Sequence, residues 1–199
     1  MLPTITHTVR SISLLLLVLV GNLFSEPERK TTVWVAPDSE VVISGTTNVN
    51  TFTCKYNLEE LKVPIRLVYD EKVEQIVFKN ARLKLANDCF DCGGRGINKD
   101  FRELLKTEKH PQVELKLLHV DPPKPDDQKI GVGMEIKIAG VTRQYETQLN
   151  CEQKSGICVD GLLVLQLSDF GLDPPRKVLG MVKVDNEIKV KLTLRFKEI

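Results

Sequence analysis

The chain has 199 residues, with 28 Lys and Arg against 27 Asp and Glu, a formal net charge of +1. A balance so near neutral excludes the strongly basic and strongly acidic classes, and it points to neither nucleic acid nor an anionic membrane surface as the organising partner.

The first residues read as a targeting segment. Arg10 precedes an apolar run from Ile12 to Val20 that includes Leu14 to Leu17, and small residues up to Ser25 lead into the polar Glu26-Pro27-Glu28. That order predicts a secretory signal peptide over 1–25. Even extended to Phe24, the run is shorter than the ~20 apolar residues of a spanning helix, so no membrane span is expected after cleavage. Residues 26–199 then make one domain, exported to a periplasm or to the outside of the cell.

In chain order, Val33 to Ala36 and Val41 to Ser44 read as short strands around a turn at Ala36-Pro37-Asp38-Ser39. Thr46 to Tyr56 is rich in Thr, Val and Phe and should be extended. Asn57 to Lys62 fits a helical turn, and Ile65 to Tyr69 a strand. Between Glu74 and Ala86 the apolar parity changes from Ile76 and Phe78 to Ala81, Leu83 and Leu85, which predicts a bulge near Asn80.

Three glycines, Gly93, Gly94 and Gly96, then break the strand pattern, and Asn98 is a good N-cap. Phe101, Leu104 and Leu105 form one apolar stripe, so a helix is expected over 98–108, closed by Pro111. Val113, Leu115 and Leu117 restore a period of two. Asp121 to Lys129, with three prolines, reads as an exposed loop.

Ile130, Val132, Met134, Ile136 and Ile138 share one strand face, and Ile188, Val190, Leu192, Leu194 and Phe196 form the cleanest alternation of all. Val141 to Cys151 and Val159 to Leu167 lie between them as a hairpin. Long strands with one apolar and one charged face, and one main helix, describe a mainly β antiparallel sheet that closes on itself or folds into a sandwich.

Export makes the five cysteines candidates for pairing. Cys151 and Cys158 flank a short loop and are expected to bridge their hairpin. Cys54 pairs with Cys89 or Cys92. One cysteine is left over, free or bridging two chains into a homodimer.

Nothing anchors catalysis, and the chain reads as a non-enzyme. Cys89-Phe90-Asp91-Cys92 has redox spacing but ends a strand rather than opening a helix. Its zinc reading, with Cys151 and Cys158, lacks zinc-ribbon spacing. Asp121, Asp126 and Asp127 fit no calcium loop. His110 and His119 are expected at exposed positions, no G-x-S-x-G or H-E-x-x-H occurs, and Asp169-Phe170-Gly171 stands without a glycine-rich phosphate loop.

An ordered set of short motifs resembles the YceI-like, lipocalin-like family of exported polyisoprenoid-binding proteins. It comprises Trp34, Gly45 to Cys54, Phe90-Asp91-Cys92-Gly93, Asn98-Lys99-Asp100-Phe101 with Leu104-Leu105-Lys106 and Pro111, Ile138 to Arg143, and Ser168 to Leu172. The resemblance implies an antiparallel barrel of about eight strands with the helix beside it. It also implies an apolar channel for a polyisoprenoid or quinone tail, with no other cofactor required, and Cys54 paired with Cys92.

The residues expected to line that channel are Phe52, Phe78, Leu83 and Leu85; Phe101, Leu104 and Leu105 of the helix; Val113, Leu115 and Leu117; Val132, Met134 and Ile136; Leu163, Leu165 and Phe170; and Val190, Leu192 and Leu194. Asp38-Ser39 and Lys99-Asp100 depart from the family's His-Ser and Arg-Asp, so head-group contacts do not carry over. The alternative is a barrel filled by its own side chains, serving as a disulfide-stapled extracytoplasmic interaction module.

Overall fold

A computed structural model describes residues 28–61, 63–123, 129–153, 157–174, 176–177 and 181–198. The segment read as a signal peptide, and residues 124–128 of the Asp121 to Lys129 loop, lie outside them. Among the described residues thirteen strands and one α-helix follow in order: β1 Arg29–Val35, β2 Glu40–Thr47, β3 Thr51–Tyr56, β4 Ile65–Glu71, β5 Ile76–Asn80, β6 Arg82–Ala86, β7 Phe90–Asp91, α1 Arg95–Leu104, β8 Gln112–Asp121, β9 Lys129–Ile138, β10 Val141–Gln153, β11 Ile157–Gln166, β12 Arg176–Lys177 and β13 Val182–Glu198.

Eight of these strands form a closed antiparallel ring, β1-β4-β5-β8-β9-β10-β11-β13, because β13 pairs back onto β1. Closure removes the open edges that a flat sheet would present. Strand β13 serves two neighbours along one edge. Phe196 to Glu198 meets β1, whereas Val184 to Thr193 meets β2, from which β3 and β7 continue as a short leaf.

The switch between β1 and β2 is the turn at Ala36 to Ser39. Ser39 is buried there, its Oγ accepting from the Arg195 amide at 2.9 Å. The side chain completes a ladder that the bend would otherwise leave open.

The expected alternations follow burial. Ile130, Val132, Met134 and Ile136 of β9 are buried, as are Ile188, Leu192 and Leu194 of β13. The parity change near Asn80 is a bulge: Tyr69 faces Phe78 and Val68 faces Asn80, so Lys79 is the extra residue.

Thr46 to Tyr56 is not one strand. Thr47 Oγ1 accepts from the Val49 and Asn50 amides, turning the chain between β2 and β3. Gly45 sits where the Phe52 ring approaches so closely that a Cβ would lie 2.4 Å from its Cζ. The helix spans Arg95–Leu104 rather than 98–108, entering from Gly93 at φ 86° and an extended Gly94. Beyond Leu104 the chain forms turns, with Lys106 at φ 54°.

The Cys54–Cys92 disulfide is present, closing a separation of 38 residues between β3 and the root of α1. The expected Cys151–Cys158 bond is not: both thiols are free, as is Cys89. Cys151 lies opposite Val159 and Cys158 opposite Glu152. Side chains one position out of register point to opposite faces of the sheet, so a flat hairpin cannot join these two.

Candidate functional site

The interior of the ring divides into two halves. Toward the end where β10 turns into β11, inward side chains fill the space: Ile130, Val132, Met134, Leu149 and Leu194 are all buried. Leu149 lies so close to Gly161 that a Cβ there would be 2.0 Å from its Cδ2, so this glycine makes room for an internal plug.

Toward the other end, where β2 meets β3 and β13 begins, the interior is a cavity of about 590 Å³. That is within the range of small-molecule sites.

Each wall of the cavity has a local cause. The inward parities of β9, β11 and β13 supply Ile136 and Ile138, Leu163 and Leu165, and Ile188, Val190 and Leu192. From β2 and β3 come Val41, Ile43, Phe52 and Cys54, and from β6 and β8 come Leu85, Val113 and Leu115.

The remaining wall is α1, where Ile97, Phe101 and Leu104 stand at i, i+4 and i+7 on one face. Polar groups are few: Thr47, Asn50, Thr51 and Thr53 of the β2–β3 hairpin, Asp100 of α1, and Gln166 at the end of β11.

The helix is fixed at both ends. At its root, beside the disulfide, Asn98 Oδ1 accepts from the Cys92 amide at 2.7 Å and Asn98 Nδ2 donates to Asp91 Oδ1 at 2.9 Å. The bond from Asn98 Nδ2, with that from the Gly93 amide, holds the Asp91 carboxyl below its ordinary range.

Beyond its C-terminus, buried Asn87 donates to Thr107 Oγ1 at 3.1 Å and to the His110 carbonyl at 2.8 Å. Along its face Phe101 packs on Phe90 at 5.2 Å between centroids, and Phe90 meets Tyr56 edge-on at 4.9 Å. Burial pushes the Tyr56 phenol up to about 12, the Cys89 thiol beside it adding to the rise and the Ala86 amide bond opposing it.

Of the residues expected to line a channel, thirteen border this cavity: Phe52, Leu85, Phe101, Leu104, Leu105, Val113, Leu115, Ile136, Leu163, Leu165, Phe170, Val190 and Leu192. Six do not. Val132, Met134 and Leu194 belong to the filled half, Leu83 is buried outside the cavity wall, Leu117 is half-buried on β8, and Phe78 packs against Tyr69 at 5.6 Å.

Sequence reasoning missed Val41, Ile43, Ile97, Ile138 and Ile188, although inward parity marks the strand residues and Ile97 is one turn before Phe101. Asp169-Phe170-Gly171 ends a 3-10 turn, with Gly171 at φ 63° as its cap and Phe170 wholly buried. His119 is a strand residue on the outer wall, its Nε2 3.3 Å from Glu146, and His110 lies over Gly140.

Among the described residues no cluster of three or more His, Cys, Asp or Glu could hold a metal, and no helix is long and apolar enough to cross a membrane.

A family model for the YceI-like domain matches residues 37–196. Among solved structures, the chain is similar to one described as a polyisoprenoid binding domain from Saccharophagus degradans implicated in plant cell wall breakdown. The TM-score is 0.62 at 14% identity, covering 86% of this chain and 100% of that one. It is also similar to BcnA of Burkholderia cenocepacia, with a TM-score of 0.55 at 16% identity over 80% of this chain and 96% of that one. No curated protein matches in sequence.

Proposed function

Because the chain belongs to the YceI-like domain family, matched from residue 37 to residue 196, we propose that it is an exported, non-enzymatic protein that holds a polyisoprenoid or similar long apolar lipid. The observation that carries this reading is the cavity of about 590 Å³, whose walls are aliphatic and aromatic apart from a few polar groups.

Burial of a tail is worth ~0.8 kcal/mol per CH2. Ten methylene equivalents would supply ~8 kcal/mol before ordering costs, enough to hold a lipid that water rejects. The Saccharophagus degradans structure, described as polyisoprenoid binding, supports the choice of ligand class. The signal-like segment over 1–25 and the Cys54–Cys92 disulfide support an oxidising compartment, periplasmic or extracellular.

The alternative, an interaction module with a filled core, describes only one half of the ring. The test is native mass spectrometry with lipid extraction of the purified protein. A prenyl lipid that co-purifies with the folded chain is expected. Failure to carry or take up any prenyl lipid from detergent solution would overturn the proposal.

A further inference from the structure

The cavity rim carries apolar side chains in an unusual place. Val49, at the tip of the β2–β3 hairpin, is 68% exposed, and Met181, at the start of β13, is 65% exposed. Chain tips are ordinarily polar, and these two adjoin the cavity: Val49, Val182 and Val184 line it, and Met181 is the next residue outward.

Hydrogen bonds tie the two tips into one platform. Asn48 Nδ2 donates to the Met181 carbonyl at 2.8 Å, and the Lys183 amide donates to Asn48 Oδ1 at 2.8 Å. Its own amide donates to the Lys183 carbonyl at 3.2 Å. The platform therefore presents its apolar groups without local unfolding.

Charge at the same place is mixed, with Lys183 exposed on β13. Strand β12 pairs with β13 so that Arg176 lies opposite Lys183 and Lys177 opposite Val182. Asp185, two residues further along β13, accepts a hydrogen bond from Thr46. The near-neutral net charge of the chain therefore leaves room for a local attraction to anionic head groups beside an apolar tip.

We propose that the Val49–Met181 rim docks on a lipid bilayer surface, so that a prenyl tail passes from the membrane into the cavity along Val182 and Val184 without crossing water. This rests on the lipid-binding reading for its cargo, but the docking step is separately measurable. Continuity with the cavity argues for a bilayer as the occupant, since a lipid that fills the cavity is otherwise held only in membranes.

The experiment is vesicle flotation with phosphatidylcholine vesicles, with and without phosphatidylglycerol, paired with solution binding of a short-tailed soluble quinone. The native chain is expected to float with vesicles, more strongly with phosphatidylglycerol present. Met181→Asp, at an exposed position outside the cavity wall, should bind vesicles about tenfold more weakly while binding the soluble quinone as the native chain does. Lys183→Glu should remove the preference for phosphatidylglycerol.

Thermal melting of both variants distinguishes lost docking from lost fold. Equal flotation of native and Met181→Asp chains, or no flotation of the native chain, would overturn the inference. Failure of both chains to bind the soluble quinone would instead overturn the lipid-binding reading.

Discussion

A cavity of fixed volume sets a limit on tail length. If a methylene takes ~30 Å³, the share one water takes in the liquid, the cavity of about 590 Å³ accepts about twenty carbons, or about four isoprene units. Each unit brought inside buries apolar surface worth up to ~4 kcal/mol, most of it offset by ordering of tail and side chains. The expected net effect is about tenfold tighter binding per unit until the cavity is full.

The assay is a titration with quinones that share one head group and differ only in prenyl length, read by calorimetry or by ligand displacement. Affinity should rise to about four units and then level off. Leu165→Trp, which places an indole in the same space, should bring the plateau forward by about one unit. A flat series, or one that keeps rising far past the plateau in both chains, would refute the volume argument.

The thiols give a second check. The unreduced, denatured chain should label at Cys89, Cys151 and Cys158 and keep one bond, Cys54–Cys92. In the native chain, Cys151 and Cys158 should label slowly, because burial raises both thiols. Replacing Cys54 and Cys92 by Ser should lower unfolding free energy by about 3–4 kcal/mol; denaturant midpoints that do not move would mean that α1 is held by other contacts.

Phe101→Asp sets a carboxylate against Phe90 and should cost about 3 kcal/mol or more. If the fraction that stays folded still binds prenyl quinone normally, α1 is scaffold and not wall. In an alkaline titration, Tyr56 should ionise near 12. Its folded value lies above the ordinary value of 10.0, so its stabilising contribution is whole below pH 10 and is lost between there and about 12. Phenolate absorbance that is complete by pH 11 without unfolding would contradict the burial of that hydroxyl.

Much of the fold was legible because a period of two reports the inward face directly. Ile130 to Ile136 on β9 and Ile188 to Leu194 on β13 alternate as their burial does. Where the reading failed, the cause lies in three-dimensional neighbours. Asn98 has the residue type of an N-cap, but its amide serves the Cys92 backbone and Asp91, and the helix begins three residues earlier. That same shift hid Ile97 from the cavity wall.

Cys151 and Cys158 look suited to bridge a hairpin until register is known, since one residue of offset reverses the face. Periodicity also says nothing about depth along a ring. It marks Met134 and Ile136 alike as inward, yet one lies in the filled half and the other borders the cavity. The close approach of Leu149 to Gly161, across paired strands, cannot be read from either local sequence.

The position of the hollow follows from how the ring is completed. At the filled end β1 closes directly on β13, whereas at the other end β2 leads away into the β3–β7 leaf and α1 supplies wall. A helix that only rested there could swing outward to admit a ligand. Here its root is tied by the disulfide and Asn98, and the chain beyond it by Asn87 to Thr107 and His110.

With both ends held, the helix wall is preformed, so the ordering cost of entry falls on the tail and the lining side chains and not on the helix. With the helix held, the proposed route for a tail is the hairpin tip and the start of β13, where Val49 and Val182 border the cavity and Val49 also meets solvent.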